Sequence, residues 1–283
     1  MKPLVTFLLI GFLTLQCQTE PVKSPFDGLT KLSHTQLFQL QSEGKFNYVR
    51  ATFVNQEGLP MSDVDKEALN LGKLTRDYYV NTAGQITKVA LRPYTMEDKF
   101  FEIRFKEMLQ DPFEKMNIVE MDCANQQAIL EELHDLDQGA RTGDGPNLDF
   151  QNQDKLISLI KKCGFPSKTQ VGEKAMSAVF LILQHAGSRL MAYYYPQMEA
   201  AVEKGDIEKS TFALYQDRLL MYHGFSQIYG SQISNDELYK LENPESVNER
   251  RAAIGLEPIE EYLKHFELDF QTELQRMQAE NKS

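Results

Sequence analysis

The stretch TFALYQDRLLMYHG, residues 211–224, decides how this chain is read. Wound as a helix, it puts Ala213, Leu220 and Met221 on one face with Asp217. Leu214, Met221 and Phe225 surround Arg218, and Phe212, Tyr215, Leu219 and Tyr222 fill the remainder. A helix that is apolar nearly all round is buried on several sides, so this one belongs inside a helical domain. Asp217 and Arg218 interrupt the apolar surface, and charges are rarely buried without partners. As neighbours they point about 100° apart around the helix, so they do not pair with each other. Each is expected to meet a partner on another element.

Helical periodicity continues on both sides. NQQAILEELHDLDQGAR (125–141) spaces Ile129, Leu130, Leu133 and Leu136 for a helix. DKLISLIKKCGFP (154–166) is amphipathic and closes on Gly164 and Pro166. Residues 172–205 predict one long helical segment interrupted at Pro196. Ser246 and Glu249 match a capping box, Gly255 reads as a stop, and residues 258–278 end the chain as a helix. Before about residue 110 the pattern changes. FNYVRATFV (46–54) and GQITKVALRPY (84–94) nearly alternate, with turn signals NQEG and NTAG beside them. The expected fold is mainly α. A small α+β region with a few antiparallel strands (34–110) precedes a helical domain (111–283).

The first residues read differently again. Lys2 and the apolar run Leu4 to Leu15 form a secretory signal, too short to span a bilayer. Cys17 follows at once, which resembles a bacterial lipoprotein signal in which the cysteine becomes the acylated first residue. The small residue usual before that cysteine is Gln16 here. The expectation is a signal peptide at 1–16, lipidation at Cys17 and a polar tether at 17–33. The protein would then be exported to the bacterial cell envelope and held to a membrane by its lipid. Export makes a disulfide between Cys123 and Cys163 permissible, but each could equally be a small buried residue. The chain of 283 residues has a net charge of −11. That disfavours a nucleic-acid partner and leaves a polar small molecule or an envelope component. Oligomeric state stays open.

The chemistry-bearing candidates are polar groups set in apolar helices. His185 ends the run VFLILQH, with Gln184 beside it. Asp137 and Arg141 stand at i,i+4, the spacing of an exposed helical salt bridge, with Gln138 adjacent. Gln227, Tyr229 and Gln232 cluster in FSQIYGSQIS (225–234), where Gly224 and Gly230 let backbone approach closely. Read in order, DLDQGAR (135–141), LISLIKKCGFPSKTQVGEKA (156–175), LILQHAG (181–187), LYQDRLLMYHGFSQIYGSQI (214–233) and NERRAAIGLEPIEEYL (248–263) resemble a bacterial family of unknown function, the one numbered 6624. The Q-x-Y-G-x-Q block is the most specific part of that resemblance. It implies Asp137, Gln138, Arg141, Gln184, His185, Asp217, Arg218, Gln227, Tyr229 and Gln232 as the family's polar positions. Arg250 and Arg251 match a later arginine pair. The Asp usual after Q-H-A is Gly187 here, which would weaken an activity that relied on it.

Two functions are carried forward. One is a hydrolase in which His185, with Asp217 or Asp137 orienting it, activates water while Arg141 or Arg218 binds an anionic group. Asp137, Gln138, Arg141, Gln184, Arg218, Gln227, Tyr229 and Gln232 would line its polar pocket. The other is a non-catalytic lipoprotein holding a ligand or partner in the same pocket. No G-x-S-x-G, H-E-x-x-H or phosphate-cradling loop is present, and no metal-ligand spacing or cofactor motif is found.

Overall fold

A computed structural model describes residues 24–70, 72–143 and 148–280. The segment expected to be a signal peptide and Cys17 therefore lie outside the described residues. The chain divides into two compact units, Met1–Tyr94 and Thr95–Ser283.

In the first unit the order is β1 (Thr30–Lys31), α1 (His34–Ser42), β2 (Thr52–Val54), α2 (Asp63–Asn70), β3 (Leu74–Val80) and β4 (Ile86–Pro93). The strands make one sheet, ordered β1-β3-β4-β2. β3 and β4 form an antiparallel hairpin. Asn81 closes its turn by accepting hydrogen bonds from the amides of Ala83 and Gln85, and Gly84 takes the left-handed conformation the turn needs. β2 pairs with β4 in parallel, so the sheet is mixed rather than purely antiparallel. The connection through α2 is long enough to step past a strand, which a hairpin loop is not. The tether also ends earlier than expected. Lys31 pairs with Tyr79, Leu32 is buried, and Phe26 stacks on Tyr79 at 4.3 Å, so residues from about 24 onward belong to the folded unit.

The second unit is helical. It contains α3 (Met96–Glu107), α4 (Gln126–Thr142), α5 (Asp149–Cys163), α6 (Lys168–Val171), α7 (Glu173–Gln184), α8 (Ser188–Glu203) and α9 (Lys209–Tyr222). A short hairpin of β5 (Ile233–Ser234) and β6 (Glu237–Leu238) follows. The unit ends with α10 (Val247–Ala253), α11 (Ile259–Lys264) and α12 (Phe270–Glu280). Its boundary falls before α3, not near residue 110. Phe100 and Ile103 of α3 are buried in the same core as α4 to α9, and that burial assigns the helix. A smaller core, from Leu238 to Met277, holds the last helices.

α9 is apolar nearly all round and buried, with Tyr215, Leu219 and Leu220 at 0% exposure. The interruption expected at Pro196 is absent, because Pro196 lies inside α8. The chain breaks instead at His185–Gly187, which puts His185 at the C-terminal cap of α7 and Gly187 at the N-terminal cap of α8. Cys123 and Cys163 form a disulfide that ties the approach to α4 to the end of α5. No helix among the described residues is long and apolar enough to cross a membrane.

Candidate functional site

The C-terminal part of α4 supplies the first group. Leu130, Leu133 and Asp137 fall at i, i+3 and i+7, so Asp137 continues the buried stripe. The carboxylate is 1% exposed, against the expectation of an exposed salt bridge. Its Oδ1 lies 2.9 Å from His185 Nδ1, and its Oδ2 accepts from Gln138 Nε2 at 3.0 Å. Arg141 stands one turn on, 3.6 Å from Asp137, and makes a 2.6 Å bond to Asp149 in the first turn of α5. Burial by itself would push the Asp137 carboxyl up. The hydrogen bond and charge of His185, the Gln138 amide and the Arg141 guanidinium outweigh burial and hold it below the usual carboxylate range. In the neutral form of the ring, a carboxylate on Nδ1 favours the tautomer that carries its proton there and leaves Nε2 as the acceptor. The His185 side chain keeps 18% exposure.

α9 supplies the second group. Arg218 Nε donates to Gln232 Oε1 at 3.0 Å, and its Nη1 donates to the Gln184 carbonyl at 3.1 Å. That carbonyl is one residue from His185. No carboxylate among the described residues pairs with Arg218, and its Nη2 has no partner among them. Burial lowers the guanidinium's proton affinity, the Tyr222 and Tyr262 hydroxyls oppose that, and the positive charge of Arg141 adds to the lowering. Two arginines and a histidine–aspartate pair thus gather where α4, α5, α7 and α9 meet. Residues 144–147, which join α4 to α5, lie outside the described residues.

Asp217, beside Arg218, faces elsewhere. It is fully buried and accepts from the amides of Ile228, Tyr229 and Ser231 and from the Ser231 hydroxyl, at 2.7 to 3.2 Å. Burial pushes its carboxyl up, and the loop's donors oppose that. Four donors converging on one carboxyl suit the ionised acceptor. The carbonyls of the same loop are held from the other side. Arg250 Nε donates to Ile228 O, Arg251 Nη1 to Tyr229 O, and Tyr262 Oη to Ser231 O. Gln227 completes the scaffold. Its Nε2 donates to the carbonyls of Gln232 and Tyr239, and its Oε1 accepts from the Gln232 amide. Gly230 sits at φ +73, and a Cβ there would come within 2.6 Å of Ile259 Cδ1, so only glycine fits.

The structure therefore divides the expected site. His185, Asp137, Gln138 and Arg141 meet directly, and Arg218, Gln232 and the Gln184 backbone adjoin them. Asp217 and Gln227 spend their polar atoms on the loop, and neither touches His185. Asp137, not Asp217, is the carboxylate on His185. The ring of Tyr229 packs against the main core, and no contact ties it to Arg218 or His185. Sequence reasoning missed Asp149, whose register with Arg141 crosses the TGDGPN break. It also missed the cluster of Glu107, Ser188 and His223, in which Glu107 Oε1 accepts from Ser188 Oγ at 3.0 Å and lies 3.2 Å from His223 Nε2. Among the described residues no three His, Cys, Asp or Glu side chains group as a metal would need. A cavity of about 630 Å³ bounded by Lys45, Arg50 and Gln85 belongs to the first unit.

Residues 109–274 match the model of DUF6624, described as a family of unknown function. No curated protein and no solved structure matches the chain.

Proposed function

The chain belongs to the DUF6624 family, and from the geometry where α4, α5, α7 and α9 meet we propose that it binds an anionic small molecule and hydrolyses it. One observation carries this reading. A partly buried guanidinium with no carboxylate partner among the described residues bonds the carbonyl of Gln184, the residue before an imidazole that a buried carboxylate holds through Nδ1. Burying an uncompensated charge is costly, and an incoming anion would relieve that cost. Arg218 would seat the anion through Nη2. His185 Nε2 would take the proton from an attacking water and pass it to the leaving oxygen, so that water adds across the cleaved bond and the imidazole ends as it began. Asp137 is the positioning residue. Arg141, already bonded to Asp149, steadies Asp137 and adds positive potential. The overall charge is unfavourable to anions, so these local cations would have to gather the ligand.

The test is a panel of phosphate and carboxylate esters assayed with the full chain. His185→Gln should lower kcat by about 100-fold or more with KM little changed, as loss of a general base does. Arg218→Gln should instead raise KM. Turnover that survives His185→Gln removes the catalytic role. The second reading is a non-catalytic binder. It is favoured by the large share of the family's polar motif that builds the loop holding Gln232, a scaffold a binder needs as much as an enzyme. Binding without turnover across the panel would select it.

We also propose that the protein is exported and acylated on Cys17. The Cys123–Cys163 disulfide supports export, because such bonds persist in oxidising compartments, and acylation rests on the sequence around Cys17 alone. A fatty-acid analogue should label the wild type and not Cys17→Ser.

A further inference from the structure

Asp149, Asn152, Gln153 and Leu156 fall at i, i+3, i+4 and i+7 of α5, and all but Asp149 are buried. This is the face whose first residue bonds Arg141 of α4. Asn152 is 2% exposed, yet its Nδ2 donor has no hydrogen-bond partner. At the end of α7, Gln184 is 6% exposed, and its side-chain Oε1 acceptor has none either. Buried polar atoms are nearly always paired, because an orphan loses its water without compensation. Here an orphan donor and an orphan acceptor lie on two of the helices that carry the proposed site. The sequence gives no hint of Asn152, which reads as one more polar residue near a helix start.

We propose that Asn152 and Gln184 form the neutral half of the site and bind a hydroxyl that the ligand carries beside its anion. A hydroxyl meets both needs, since it accepts from Asn152 Nδ2 and donates to Gln184 Oε1. With Arg218 for the anion, the ligand class is a hydroxylated anion, a sugar or polyol bearing a phosphate or carboxylate. The inference rests on the anion-binding reading above and narrows it. It also accounts for an amide at a buried position where an apolar side chain would leave no orphan donor.

Calorimetric titration of the full chain tests it with four probes: inorganic phosphate, glucose 6-phosphate, acetate and gluconate. The hydroxylated member of at least one pair should bind at least ten-fold more tightly than its simple anion. The pair that shows this assigns the anion as phosphate or carboxylate. Asn152→Leu should reduce that advantage to less than three-fold and leave the simple anion unchanged. Arg218→Gln should abolish both. The same Asn152→Leu variant should melt about 2–4 °C higher than wild type in the absence of ligand, because it removes an unpaired buried donor. Gln184→Met provides the parallel test should Asn152→Leu fail to fold. Simple anions bound through Arg218 with no hydroxyl advantage, or an advantage that survives both variants, overturn the inference and leave the anion site standing. Failure of all four probes to bind removes the anion site and this inference with it.

Discussion

Replacing Asp217 by alanine should unfold the site rather than disarm it. The carboxylate accepts from three backbone amides and one hydroxyl of the 228–231 loop, and the residue is 0% exposed. Alanine leaves those amides without partners in a buried setting, and each orphan costs about 1–3 kcal/mol. Arg250 and Arg251 also feel the Asp217 charge and would lose it. Costs in one network do not add fully, so the expected loss is about 3–5 kcal/mol. Asp217→Asn keeps one acceptor oxygen but turns an amide NH2 toward donors, so it should fall between wild type and alanine. Arg218→Gln is the control. That side chain is partly buried and makes two bonds to neutral acceptors, and glutamine removes the buried charge along with them, so stability should stay within about 1 kcal/mol of wild type. Urea denaturation followed by circular dichroism measures all three, since helices dominate the signal of the second unit. If Asp217→Ala costs less than about 1 kcal/mol while ligand binding disappears, Asp217 belongs to the ligand and the scaffold argument is wrong.

Burial lowers the His223 pKa below its ordinary 6.5, and Glu107 only partly offsets this. The unfolded chain therefore takes up a proton there that the folded chain resists, and stability should fall as pH drops below about 6.5. Urea midpoints across this range should show that slope in wild type and a flatter one in His223→Gln. Reduction of the Cys123–Cys163 disulfide frees a 40-residue loop and should cost about 4 kcal/mol by loop entropy, read from the urea midpoint with and without reductant. Gly187→Asp should stabilise by about 0.3–1 kcal/mol, since the position is an extended helix N-cap with nothing within 4 Å of a new Cβ. Differential scanning calorimetry should show a raised melting temperature, and any activity should be unchanged.

That last position shows what the sequence can and cannot convey. An Asp expected after Q-H-A invites a catalytic role beside His185. The structure gives the position a capping role, so its loss need not imply a lost activity. The helical unit was legible because burial writes itself into periodicity, and the all-round apolar α9 is the clearest case. Its adjacent charges do find separate partners, Asp217 in a loop and Arg218 at the end of α7. Asp137 was misjudged because i,i+4 spacing to Arg141 signals a surface pair, while the i+7 relation to Leu130 signals burial, and burial won. The mixed sheet was hidden because near alternation marks a strand but says nothing about which neighbour it pairs with. Asn152 and Asp149 were illegible for a different reason. Only the docking of α5 on α4, set by contacts distant in sequence, brings Asp149 to Arg141 and buries Asn152 on the same helix face.

In the proposed function Arg218 seats an anion beside a His185 that Asp137 holds through Nδ1. Crystals of the full chain grown with tungstate test it directly, because the heavy anion locates itself by anomalous scattering. A tungstate oxygen should lie about 3 Å from Arg218 Nη2, with another facing His185 Nε2, and no such peak should appear in Arg218→Gln. Tungstate bound elsewhere while Arg218 stays empty, or a protein carboxylate from residues 144–147 closed onto Arg218, would contradict it.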